Sequence, residues 1–105
     1  MPAYFEGDPR AADLSPYFVR KPLLSRQGWN VEIHGDDDVV VRRDGPYGDE
    51  GYIVQAFHPL PEFDGAYPLV GCWMVAGRSA GLCIREDRNL VTTSDARFVP
   101  HVILD

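Results

Sequence analysis

Strand-favouring runs recur along this chain at short intervals, and glycine, proline or aspartate interrupts each before it reaches the length of an ordinary helix. Val39-Val40-Val41-Arg42-Arg43 lies between the acidic turn His34-Gly35-Asp36-Asp37-Asp38 and the loop Asp44 to Gly51, which carries three glycines and Pro46. Tyr52 to Phe57 stops at His58-Pro59-Leu60-Pro61, a segment that cannot continue a central ladder because proline offers no N–H. Residues 62 to 66 turn again at Asp64-Gly65. This rhythm predicts a mainly β to α+β fold, one antiparallel sheet with little helix. At 105 residues the chain is expected to form a single domain, 1–105, with an irregular arm over 1–16 that holds at most a short helical turn around Pro9 to Leu14.

The run Leu69 to Ala76 is almost wholly apolar and too short for a typical helix. It predicts a core strand buried on both faces, with Trp73 and Val75 largely inside. A Gly77-Arg78 hairpin turn would pair Trp73 with Leu82 and Val75 with Ala80, and would set Cys72 opposite Cys83 at a distance compatible with a disulfide. In a reducing cytosol, buried free thiols are the expected state. Leu90 to Thr92 reads as a short strand, and Thr93-Ser94-Asp95 as the cap of one helical turn.

Ten basic residues against sixteen acidic give a net charge of −6, which argues against a nucleic-acid or anionic-membrane surface. Neither a leader pattern nor a bilayer-length apolar stretch is apparent, so the expected location is cytoplasmic. The cysteines lack zinc-motif spacing and His34, His58 and His101 are separate from them, so no metal ligands are assigned. Asp36-Asp37-Asp38 reads as a solvated turn, because consecutive carboxylates diverge where a metal loop needs oxygens that converge.

Any anion site must therefore be local, and one stretch could supply it. Tyr17 to Val31 reads as strand, basic turn, strand, and its turn gathers Lys21, Ser25, Arg26, Gln27 and Gly28. Gly28 can adopt positive φ and turn N–H groups inward, Lys21 acts as a point charge, and Arg26 can fork onto phosphate or carboxylate oxygens. Lys21 is the one lysine in the chain, against nine arginines. The plainer alternative is a surface hairpin with solvated charges.

The run Arg20-Lys21-Pro22-Leu23-Leu24-Ser25-Arg26-Gln27-Gly28 resembles the phosphate-loop segment of the glutathionylspermidine synthase family, within the ATP-grasp acid–amine ligases. Three later stretches match in the same order: Gly51 to Pro61, Tyr67 to Trp73, and Ala80 to Asp87 running on to Arg97-Phe98-Val99-Pro100-His101. The resemblance is to the C-terminal end of that family. It implies that ATP, with Mg2+, is the cofactor, that Lys21 contacts the ATP phosphates and that Gln27-Gly28 forms a loop closing over them. A charged residue commonly stands at the position of Gln27 in relatives. Gln55, Phe57 and His58 fall where the family lines its adenine pocket, the plainer alternative for Gln55 being a hydrogen bond within the sheet, and Leu90, Val91 and Thr92 would lie beside the nucleotide. Arg85 matches an arginine that stabilises the transferring phosphoryl group. Lys21 and Arg85 are expected on one triphosphate.

The same resemblance places the magnesium ligands and much of the acid-substrate pocket upstream of this segment. Two readings follow: the nucleotide-binding part of an acid–amine ligase, incomplete on its own and needing a complementing protein or self-association to complete its cleft, or a non-catalytic binding or interaction module that keeps the sheet.

Overall fold

A computed structural model describes residues 1–36 and 38–104. Two compact units divide the chain, Met1–Pro59 and Leu60–Asp105. The first contains β1 (Ala3–Phe5), a 3-10 helix (Pro9–Leu14), β2 (Phe18–Pro22), β3 (Glu32–Gly35), β4 (Asp38–Arg42) and β5 (Tyr52–Ala56). The second contains β6 (Tyr67–Val75), β7 (Arg78–Asp87) and β8 (Arg97–Val99). Every ladder is antiparallel, in accord with the expected mainly β class. The strands are divided between two sheets, not gathered into one: a five-stranded sheet of order β1-β5-β2-β3-β4 and a three-stranded sheet of order β6-β7-β8. The physical reason lies at His58-Pro59-Leu60-Pro61, which takes no strand structure, so β6 begins a new ladder.

In the first unit the N-terminal arm is more regular than expected. Tyr4 pairs with Val54 and Phe5 with Ile53, so the arm adds an edge strand to β5. The 3-10 helix starts where Asp8 accepts the Arg10 N–H at 2.9 Å and Pro9 supplies a fixed φ without needing a partner for an N–H. Ile33 on β3, Val54 on β5 and Pro22 on β2 are buried in this sheet. The loop Asp44 to Gly51 is tied back at Tyr47, whose N–H donates to Asn30 Oδ1 at 2.9 Å.

The second unit departs furthest from expectation. Its hairpin turns at Ala76-Gly77, with Val75 opposite Arg78, and a bulge between Trp73 and Met74 sets Trp73 opposite Gly81. Ala76 and Gly77 have φ of 49° and 75°, the pattern of a type I′ turn, whose second central residue is most easily glycine. Gln27-Gly28 (55°, 74°) and Asp64-Gly65 (49°, 75°) share it. Placing glycine second moves the ladder relative to a Gly77-Arg78 turn. That shift alone would leave the cysteines on one face; the bulge adds a one-residue shift, so Cys72 opposes Leu82, Cys83 opposes Gly71 and the two point to opposite faces of the hairpin. Both thiols are free, Cys72 exposed and Cys83 half-buried, which removes the disulfide geometry and the expected burial together. A Cβ on Gly71 would meet the Cys83 sulfur at 2.8 Å, so the missing side chain there makes room for the thiol.

Nor is β6 a core strand. Trp73 is 67% exposed and Val75 63%, because β6 is an edge strand and neither face of its turn-proximal half is covered. The buried centre of this unit is Val91, Thr93 and Asp87. Leu90 to Thr92 forms a bend in place of the expected strand, and Thr93-Ser94-Asp95 caps a turn and not a helix. No helix among the described residues is long and apolar enough to cross a membrane.

Candidate functional site

The sequence Arg20-Lys21 places two cations side by side on β2, and the period of two along a strand sends them to opposite faces. Arg20 is consumed by structure. Its guanidinium meets Glu6 at 2.6 Å and Glu32 at 3.7 Å and lies 3.4 Å from the centroid of the Tyr52 ring. The Glu6 hydrogen bond, against the opposing effect of burial, raises the Arg20 pKa. Glu32 also receives Arg42 at 3.0 Å and His34 Nε2 at 3.0 Å, while the His34 ring stacks on Phe18. This cluster was not anticipated. Alternation along Arg20-Lys21 and along Glu32-Ile33-His34 could have signalled it.

Lys21 faces the other way. Val19 opposes Gln55 and Lys21 opposes Ile53, so Lys21 and Gln55 share a face one diagonal step apart, within reach of a long side chain. Lys21 Nζ donates to Gln55 Oε1 at 2.5 Å. Among the described residues no carboxylate pairs with Lys21. A hollow of about 280 Å³ opens beside it, walled by Lys21, Ser25, Arg26, Gln27, Gly28 and Val31.

The turn that walls this hollow has the shape the sequence suggests. Gln27 and Gly28 both lie at positive φ, the Trp29 N–H donates to the Arg26 carbonyl at 3.1 Å, and Ser25 Oγ donates to the Trp29 carbonyl at 2.6 Å. The structure thus brings Lys21, Gln27 and Gly28 to one hollow, and joins Gln55 to Lys21 on the β2–β5 face. Phe57 follows β5, its N–H donating to the Tyr17 carbonyl at 3.4 Å, and His58 is exposed beyond it.

In the acidic turn, Asp36 accepts the Tyr17 hydroxyl at 2.7 Å and Asp38 accepts the Val39 N–H at 2.7 Å, while Asp37 lies outside the described residues. Among the described residues no three His, Cys, Asp or Glu side chains are grouped to hold a metal ion.

Arg85 belongs to the second unit. It stands between Leu69 on β6 and Phe98 on β8, on the hairpin face that also carries Gly71, Trp73 and Cys83. Glu86, on the opposite face, pairs with Arg97, and Asp87 bonds elsewhere, so neither acidic neighbour takes Arg85.

Asp87 is the residue that sequence reasoning missed. Its Oδ1 accepts the Asn89 backbone N–H at 3.0 Å and the Asn89 side-chain amide at 2.8 Å, and its Oδ2 accepts the Thr93 N–H at 2.8 Å and hydroxyl at 2.7 Å. Burial pushes the carboxyl pKa up, but the donors from Thr93 and Asn89 outweigh it and hold the group at about 2. The bend carrying Leu90, Val91 and Thr92 is strung between these anchors. The spacing Asp-x-Asn, which makes an Asx-type turn, is the signal that could have found it.

A family model described as glutathionylspermidine synthase preATP-grasp matches residues 1–104. Over 107 residues the chain is 39% identical to a putative acid–amine ligase of Haemophilus influenzae, covering 96% of this chain and 27% of that protein. It is 35% identical over 82 residues to a trypanothione synthetase of Crithidia fasciculata, 77% of this chain and 13% of that one. A bifunctional glutathionylspermidine synthetase/amidase of Escherichia coli is 28% identical over 88 residues, 83% of this chain and 14% of its own length. The chain therefore spans about a quarter of the first of these relatives and less of the others. With nearly its whole length matched by the family model and its similarity running to ligases and synthetases, the chain belongs to the glutathionylspermidine synthase family.

Proposed function

We propose that this chain is the ATP-phosphate-binding part of a cytoplasmic acid–amine ligase resembling glutathionylspermidine synthase, that it corresponds to the C-terminal portion of such an enzyme, and that it is incomplete alone. The matching family description names a preATP-grasp region, so the nucleotide assignment rests on residues and not on that description. One observation carries it: an ammonium free of any carboxylate among the described residues lines the same hollow as a type I′ turn with two successive positive-φ residues. A cation beside an exposed tight turn is a concavity suited to phosphate oxygens.

In this reading Lys21 holds ATP phosphates, Gln27-Gly28 forms the loop over them, and the end of β5 at Gln55, Phe57 and His58 presents polar backbone groups beside apolar walls to the adenine. Leu90, Val91 and Thr92 form a nucleotide-facing bend that Asp87 fixes, and Arg85 steadies the transferring phosphoryl group. ATP would activate a carboxylate as acyl phosphate, which an amine then displaces, a reaction that depends on positioning and charge stabilisation. Among the described residues no three His, Cys, Asp or Glu side chains are grouped, so no metal ligand is assigned to this chain, and in this reading the cleft is completed by a further polypeptide segment, a complementing protein or a second copy. A second reading is a non-catalytic binding or interaction module derived from the fold.

The test is to graft residues 17–105 onto a complete relative. Lys21→Met should weaken ATP binding by about tenfold or more, the loss of one charge-assisted phosphate contact of roughly 1.5–3 kcal/mol. Arg85→Lys keeps the charge but loses the guanidinium fork, so turnover should fall more than affinity. Unchanged turnover in a folded Arg85→Lys graft would leave the module reading ahead.

A further inference from the structure

The contact between Lys21 and Gln55 joins the phosphate end of the candidate site to a residue whose resemblance-based role lies at the adenine end. An ammonium can only donate, so it is the carbonyl oxygen of the Gln55 amide that faces it. At 2.5 Å across the β2–β5 ladder, with both side chains half-buried, this bond fixes the far end of a side chain that otherwise has four free torsions.

We propose that Gln55 is a positioning residue for Lys21: its amide oxygen holds the ammonium on the β2–β5 face, beside the hollow that Lys21 also walls, without neutralising it. The choice of amide is what makes the arrangement work. A carboxylate at the same place would also orient Lys21, but would discharge the field that attracts an anion. A neutral acceptor orients one of the three N–H bonds and leaves the other two, and the whole charge, for phosphate oxygens. Arg20 provides the contrast on the same strand. Held by Glu6 and Glu32, it is structurally fixed and electrostatically spent.

This inference rests on the phosphate-binding reading of the turn, and the experiment separates the two. Binding of inorganic tripolyphosphate, which has no base, and of ATP is measured by calorimetry on the wild-type chain and on Gln55→Leu and Gln55→Glu. A positioning role predicts that Gln55→Leu weakens both probes by the same factor, about fivefold, since preorganisation of Lys21 is lost for each. Gln55→Glu should weaken both further, although Lys21 stays oriented. A loss confined to ATP would mean that the side chain reads the base, and would overturn the inference.

Lys21 is the one lysine of the chain, so its ε-methylene gives a single assignable NMR signal that needs no ligand. Its side-chain order should fall in Gln55→Leu and persist in Gln55→Glu, with the amide spectrum of β2 and β5 retained. Unchanged order in Gln55→Leu would overturn the positioning role whatever the binding data show. Wild-type binding to neither probe would instead remove the phosphate reading, leaving the Lys21 signal to decide the role of Gln55.

Discussion

Replacing Asp87 with asparagine should destabilise the second unit by about 2 kcal/mol at neutral pH, and most of that cost should vanish in acid. The carboxylate is 7% exposed and accepts four hydrogen bonds, two from Asn89 and two from Thr93. Asparagine keeps the shape but turns one acceptor into an N–H2 facing donors, so two of the four bonds become repulsive. A fall in pKa from an ordinary aspartate value near 3.9 to about 2 corresponds to roughly 2–3 kcal/mol of differential stabilisation of the charged form. Because the folded value lies below the unfolded one, this contribution is whole above about pH 4 and is lost as the pH falls toward 2. Amide exchange at Asn89 and Thr93, followed from pH 6 to pH 2 in both proteins, reads the effect locally. This suits a chain with two units, whose global melt need not be two-state. An Asp87 carboxyl titrating near 3.9, or a variant whose deficit does not shrink in acid, would refute the argument.

Other outcomes follow from the turns and the hairpin. Gly28→Ala should cost about 1 kcal/mol, since alanine resists the φ of 74° that the turn requires, and urea unfolding read at β2 and β3 would show it. Trp73→Ser should change the stability of this chain by less than about 0.5 kcal/mol because the ring is 67% exposed, and a loss of several kcal/mol would restore the buried-strand reading. Under mild oxidation Cys72 and Cys83 should not join within one chain, and mass spectrometry finding that loop closed would contradict the ladder register.

The parts of the fold that could be read from sequence are those in which local chemistry decides. Asp64-Gly65 turns because aspartate tolerates positive φ and glycine prefers it, and β5, which ends at Ala56, cannot be carried on through Pro59, which has no N–H for a ladder. The hairpin went astray over a single residue. Alanine carries no turn signal, so Gly77 looked like the first central position. Type I′ geometry makes it the second, and the bulge at Trp73/Met74 moves the register again. Apolar composition likewise suggested that Leu69 to Ala76 is interior, yet composition does not say which strand stands at a sheet edge. At the candidate site, sequence singles out Lys21 and Gln55 separately, but their bond depends on the β2–β5 register, which no local pattern encodes. Asp87 escaped because its partners lie downstream in a segment that reads as strand and cap.

The outer edge of β6 has consequences for how this chain behaves at high concentration. That edge carries no strand partner among the described residues, and the hairpin end beside it exposes Trp73, Met74 and Val75. An unpaired ladder next to an apolar face is a template for association between copies. Little in the strand opposes this near its tip, since Pro68 sits at the far end. The restraint is colloidal: at neutral pH every copy carries the same −6 charge and repels its neighbours. That repulsion disappears around pH 4.9, the calculated isoelectric point, so precipitation should be worst there and ease on either side. An acid titration of Asp87 must cross that zone, and it is best done dilute.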